Sequence, residues 1–167
     1  MRAAVRVLLA LSVALAAWGG WSAAHAPAGS STGPDLGHER DLVLKAGTQQ
    51  LTTLTSMDHT RVDAGLQSWL NATTGLLRDQ LVRDAAQNKQ KIQQKRTTAV
   101  GSVADAAVTA LDLRAGNAKV LALVRIRVTP PDGAAPGVQK QRYEVGLART
   151  AEGWKLTSLT AIPVSSV

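Results

Sequence analysis

Residues 118–129 read AKVLALVRIRVT, and this stretch decides the fold. In an extended chain Val120, Ala122, Val124, Ile126 and Val128 share one face, while Lys119, Leu121, Leu123, Arg125 and Arg127 share the other. That strict period of two is incompatible with an amphipathic helix and predicts a half-buried strand. On its N-terminal side, Arg114-Ala115-Gly116-Asn117 carries a hairpin-turn signal. The preceding run, Val100 to Leu113, is rich in Val, Thr and Ala and reads as the partner strand, with a bulge expected at Gly101 or at the Ala106-Ala107 pair. On its C-terminal side, PPDGAAPG at 130–137 is a turn-rich loop. Val138 to Arg149 alternates again, with Tyr143, Val145 and Leu147 opposite Lys140, Arg142 and Glu144. Thr150 to Gly153 turns the chain into a last strand, Trp154 to Ile162.

Upstream of Arg96 the period changes to that of a helix. Val43, Gly47, Leu51, Leu54 and Met57 line one face of a first helix over His38–Met57. After a polar break at Asp58, Val62, Leu66, Trp69 and Leu70 recur at helical spacing, and Thr60 with Asp63 has the arrangement of a capping box. Thr73-Thr74-Gly75 breaks the chain before a third helix with a stripe of Leu77, Leu81, Ala85 and Ile92 and a basic end at Lys89, Lys91, Lys95 and Arg96. Helices first and a strand meander afterwards, joined by short connections, predict an α+β domain: three helices on a curved four-stranded antiparallel sheet.

The N-terminus carries a different signal. Val7 to Ala24 is free of charge over eighteen residues and follows Arg2 and Arg6. At helical rise it would span roughly 27 Å, close to the hydrocarbon thickness of a bilayer. The flanking arginines keep that end cytoplasmic and place everything downstream outside the cell membrane. A single-pass signal anchor is the expectation, with Trp18 and Trp21 at the outer membrane interface and Pro27 opposing cleavage after Ala26. A cleaved signal peptide followed by secretion is the alternative. The expected organisation is therefore an anchor at 1–24, a Pro-, Gly- and Ser-rich spacer at 25–37 and an extracytoplasmic domain at 38–167.

Composition narrows the function. At 167 residues the chain builds one globular domain, and its lack of cysteine excludes disulfides, thiol nucleophiles and cysteine-ligated metals. The net charge of +7 raises the question of nucleic acid, but aromatics make up only 3% of the chain, too few for stacking on single strands. Removing Arg2 and Arg6 from the 19 basic residues leaves 17 against 12 acidic ones in the exported part. No nucleic-acid partner is expected.

His25, His38 and His59 form no metal-ligand spacing, and no Gly-rich phosphate loop or Gly-x-Ser-x-Gly elbow is present, so no metal, cofactor or catalytic residue is expected. The strongest enzymatic arrangement would be Asp58 or Asp63 with His59 and Tyr143 inside a cone, where desolvation would raise a carboxylate pKa towards that of a general base. Helix-start capping and a core tyrosine explain the same residues more simply. A candidate binding surface is clearer: Lys119, Arg125 and Arg127 share a face of the second strand, and Lys140 and Arg142 share a face of the third. On adjacent outer faces these five cations form one patch suited to anionic headgroups or an acidic partner, with a plain solvated sheet face as the bland alternative.

Several phrases also carry a family likeness. Ala17-Trp18-Gly19-Gly20-Trp21-Ser22, Leu54-Thr55-Ser56-Met57-Asp58 leading to Val62-Asp63-Ala64-Gly65-Leu66, Ala72-Thr73-Thr74-Gly75-Leu76-Leu77-Arg78-Asp79-Gln80-Leu81, and Gly153-Trp154-Lys155-Leu156-Thr157-Ser158-Leu159 together resemble the actinobacterial Mce-associated membrane proteins. Leu77 stands where relatives often carry an aromatic, and the spacer is longer and richer in Pro and Gly. The resemblance implies a single-pass anchor, a cystatin-like cone of the nuclear-transport-factor-two type, and a non-enzymatic accessory role, binding and stabilising an Mce lipid transporter in the cell envelope. Its partners would be membrane lipids around the N-terminal helix and the transporter subunits. Two alternatives stay open: a cone that binds a lipid or small molecule or works as an isomerase or dehydratase, and a scaffold subunit of a secretion system.

Overall fold

The computed structural model describes residues 35–163. The apolar segment at 7–24, Trp18 and Trp21, and the spacer up to residue 34 lie outside the described residues. The described chain folds as α1 (Leu36–Leu54), α2 (Val62–Ala72), α3 (Gly75–Arg83), α4 (Ala85–Lys95), β1 (Thr98–Asp112), β2 (Asn117–Thr129), β3 (Gly137–Thr150) and β4 (Gly153–Ile162). The strands form one antiparallel meander in the order β1-β2-β3-β4. The helices pack on one face of this curved sheet, as the α+β pattern requires.

Helix α1 contacts all four strands. Its buried residues are Val43, Gly47 and Leu51, one per turn along a single face. A Cβ on Gly47 would lie 3.4 Å from Val120 Cγ2 and 3.7 Å from Leu147, so alanine is the largest side chain this spacing admits, and the glycine sets how closely the helix lies on the sheet. The core beneath is aliphatic: Val43, Leu51, Val120, Val124, Val145, Leu147 and Leu156 are at most 1% exposed. Trp154 closes one end of it, with the Arg149 guanidinium 5.1 Å from its ring centroid. Arg149 also pairs with Glu39 at 2.6 Å, tying the start of α1 to the end of β3.

The helical half departs from expectation in four places. Leu36 and Gly37, assigned to the spacer, belong to α1. The same helix stops at Leu54 instead of reaching Met57: the Thr55 hydroxyl joins the Thr55 N–H on Leu51 O, while the Ser56 N–H turns to Thr53 O and leaves Thr52 O to the Ser56 hydroxyl. Met57 is then free to pair with the edge of β1, exchanging backbone hydrogen bonds of 2.8 and 2.9 Å with Ala99. The capping box does not form either. Helix α2 starts one residue later, with Arg61 before it and no side-chain cap, while Thr60 donates its backbone N–H and its hydroxyl to Asp58 Oδ1.

The expected third helix is two helices. Asp84, at φ −92 and ψ 3, leaves the helical region between α3 and α4, which makes four helices on the sheet. A short acidic side chain competes poorly for helix interiors, and the two halves pack on different partners, α3 on β4 and α4 on α2. The strands match their expected bounds to within two residues at each end. In β1 the irregularities fall between Val103 and Asp105 and between Val108 and Ala110, on either side of the Ala106-Ala107 pair and away from Gly101. Gly101 has another role. A Cβ there would sit 1.9 Å from Thr55 Oγ1, and the Gly101 N–H donates to Ser56 Oγ at 3.0 Å, so the end of α1 rests directly on the β1 backbone.

Candidate functional site

The residues considered for acid–base chemistry are not brought together. Asp58 stands at the surface among Thr60 and Arg61, whose Nε lies 3.3 Å from Oδ2. The Thr60 backbone N–H and hydroxyl, with Arg61 behind them, hold its carboxyl below the ordinary carboxylate range, opposite to the shift a general base needs. Asp63 is exposed and pairs with Lys89 at 2.7 Å. His59 Nδ1 lies 2.9 Å from Thr98 Oγ1, and Tyr143 packs on the aliphatic core beside Ala122 of β2. The interior between α1 and the sheet is filled by the core side chains themselves. Two open grooves, of about 540 and 760 Å³, flank α2 instead: one between the end of α1 and the start of β1, the other beside the β3–β4 turn. The Trp69 indole N–H is shared between the Thr53 and Ser56 carbonyls at 3.0 and 3.1 Å, clamping α2 to the end of α1.

The basic sheet face is assembled as a surface. Directly opposed residues of an antiparallel pair point to the same side, so the register lists the neighbours. Arg125 faces Lys140 on β3 and Ser102 on β1. One row nearer the β2–β3 loop, Arg127 faces Val138 and Val100. One row further in, Leu123 stands between Arg142 and Asp105. Lys119 lies at the far end of β2 and pairs with Glu144 at 3.3 Å. All five cations are exposed, on the side of the sheet away from the helices.

The five do not form one uniform group. Glu144 neutralises Lys119, whereas Arg125, Arg127, Lys140 and Arg142 have no ion-pair partner among the described residues. Like charges directly opposite on a sheet are destabilising, so the Arg125–Lys140 pair works against the fold. The sequence reading missed the apolar members of this end of the face. Val100 and Val138 are each 55% exposed and bracket Arg127. Their alternation was visible, but only the register shows that they share a row.

Comparison with known proteins places the fold. No protein-family model matches the chain, and no curated protein matches it. Solved structures do. An IcmL-like type IV secretion system protein from Legionella pneumophila superimposes with a TM-score of 0.60 at 12% identity, covering 81% of this chain and 97% of that one. CagV, a VirB8 homolog of the type IV secretion system of Helicobacter pylori, gives 0.59 at 11% identity, covering 75% and 99%. VirB8 of Agrobacterium tumefaciens gives 0.57 at 14%, covering 80% and 100%. The described domain thus has the nuclear-transport-factor-two-like cone fold seen in these secretion proteins. At such identities the likeness carries the fold alone, and the Mce-associated resemblance rests on the sequence phrases that suggested it.

Proposed function

We propose that this protein is a non-enzymatic, membrane-anchored scaffold subunit of a cell-envelope complex, of the kind formed by secretion machinery, with its cone domain outside the cytoplasmic membrane. The observation that carries the reading is the filled cone. Where cones of this fold serve as enzymes or carriers they need an open interior, and here Val43, Leu51, Val120, Val124, Val145 and Leu147 occupy it. A domain whose described interior is packed with aliphatic side chains works through its surfaces. The depressed carboxyl of Asp58 and the outward position of Asp63 support the same conclusion.

The solved cones of similar fold favour a secretion-type assembly as the setting, and the apolar segment Val7–Ala24 behind Arg2 and Arg6 supports a tether with the domain on the outer side. An Mce lipid transporter is the competing setting, supported by the sequence phrases. Crosslinking in intact membranes followed by mass spectrometry tests both. Recovery of subunits of a secretion apparatus is the expected outcome. Recovery of Mce subunits would move the scaffold to that complex, and recovery of no membrane protein would overturn the scaffold reading. The same experiment reports the mature N-terminus, and a start after Ala24 or Ala26 would replace the anchor by a cleaved signal peptide.

A further inference from the structure

We infer that the hairpin end of the outer sheet face, built on Arg125, Arg127, Lys140 and Arg142, docks onto the anionic surface of the membrane to which the chain is tethered, laying the cone face-down on the bilayer. The inference rests on the anchored reading above. Its first ground is charge. Four exposed cations cluster over adjacent rows of β2 and β3 without an ion-pair partner among the described residues, and the acids sharing the face are few: Asp105 opposite Leu123, Asp112 at the far end opposite Asn117 and accepting from the Arg114 and Ala115 N–H groups, and Glu144, already held by Lys119. Lys140 beside Arg125 costs the fold stability, a cost that an anionic surface would offset.

The second ground is the pattern within the patch. Val100 and Val138 flank Arg127 in one cross-strand row, more than half exposed, with the loop 130–136 beyond them holding a single charge, Asp132. Aliphatic side chains level with arginine stems match the boundary between headgroups and acyl chains, where the stems lie along apolar surface and the guanidinium groups reach phosphate. An acidic protein would satisfy the cations and leave the valines unexplained.

The third ground is reach. Eleven residues separate Ala24 from Leu36, so the tether cannot exceed about 40 Å when fully drawn out. Helix α1 begins one packing layer above the sheet, about 10 Å. Its start is fixed near the end of β3 by Glu39 and Arg149. A face-down sheet keeps Leu36 inside that limit, and the tether holds the patch at high effective concentration over the lipid. Weak attraction per charge, about fivefold in the docking ratio for each cation, then suffices.

The test uses the full chain in lipid nanodiscs of phosphatidylcholine alone or with about one-third phosphatidylglycerol. The native chain has no cysteine, so a nitroxide on Val138→Cys reports only that site, with Gln49→Cys on the helical side as control. The Val138→Cys probe should be shielded from an aqueous nickel collider in the anionic discs, exposed in the neutral ones, and released at high salt, with Gln49→Cys exposed throughout. Arg125→Glu with Lys140→Glu should lower the docked-to-free ratio more than twentyfold, with an unchanged circular dichroism melt showing that the fold persists. Equal accessibility in both lipids overturns the docking and leaves the scaffold reading standing. Failure of the chain to incorporate into discs overturns the docking together with the anchor. Loss of a protein crosslink on charge reversal, with a lipid-insensitive probe, assigns the face to an acidic protein and overturns the membrane assignment.

Discussion

Two residues show how single positions set the fold and limit its chemistry. Gly101 lies where the end of α1 touches β1, and any side chain there collides with Thr55: the Cβ would stand 2.7 Å from Thr55 Cβ and 3.2 Å from its carbonyl carbon. Gly101→Ala must push the helix end away from the strand, breaking the Ser56 hydrogen bond to the Gly101 N–H and the Met57–Ala99 pairing. Overpacking of this kind costs about 1–3 kcal/mol, to be read from the urea midpoint at unchanged slope. Asp58 carries the second prediction. Its folded carboxyl titrates below the ordinary aspartate value of 3.8, so the stability it contributes is present above that pH and is lost as pH falls through the lower folded value. Asp58→Asn should therefore be less stable than wild type at pH 6, and the gap should close below about pH 3.8. A constant gap down to pH 2.5 would mean that the Asp58 contribution is not one of charge.

At the scale of elements, the strands were legible because alternation is local: Val120, Val124, Val145 and Leu147 declare their inward face without knowledge of the neighbours. Helix ends were not, because the events that end them are tertiary. Leu54 is followed by residues whose hydroxyls could have stayed in solvent had β1 not offered Met57 a backbone partner. The break at Asp84 likewise depends on α3 and α4 finding different surfaces to cover. The basic face was half legible: the cations were assigned to the correct side of each strand, but only the register puts Arg125 against Lys140 and Arg127 between two valines. That register yields a prediction opposite in sign to most surface substitutions. Lys140→Glu replaces a like-charge cross-strand pair by an opposite-charge one and should raise stability by about 0.5 kcal/mol at low salt, an increment that shrinks as salt screens it. A thermal melt that rises in dilute buffer and converges with wild type in molar salt is the expected result; a fall would show that the face is organised by something other than these charges.

At the scale of the whole molecule, the described residues hold a complete core. Among the described residues, every one that is at most 1% exposed lies between Val43 and Leu156, and the helices join the sheet through contacts that run from Glu39–Arg149 to Met57–Ala99. The described domain therefore carries a core of its own, from which independent folding is expected. A chain starting at Asp35 should unfold in one cooperative transition, with a urea slope of about 1–3 kcal/mol/M and a thermal midpoint within about 2 °C of the full chain in mild detergent. It should also lose the nanodisc docking of the full chain at equal concentration, since four cations without a tether give only weak attraction to a dilute surface. A large fall in midpoint would show that residues 1–34 pack on the cone, and the reach argued from tether length would then have to be replaced by a fixed geometry. Retained docking would show that the patch binds lipid strongly by itself, so the tether would set where the cone acts without setting whether it lies on the membrane.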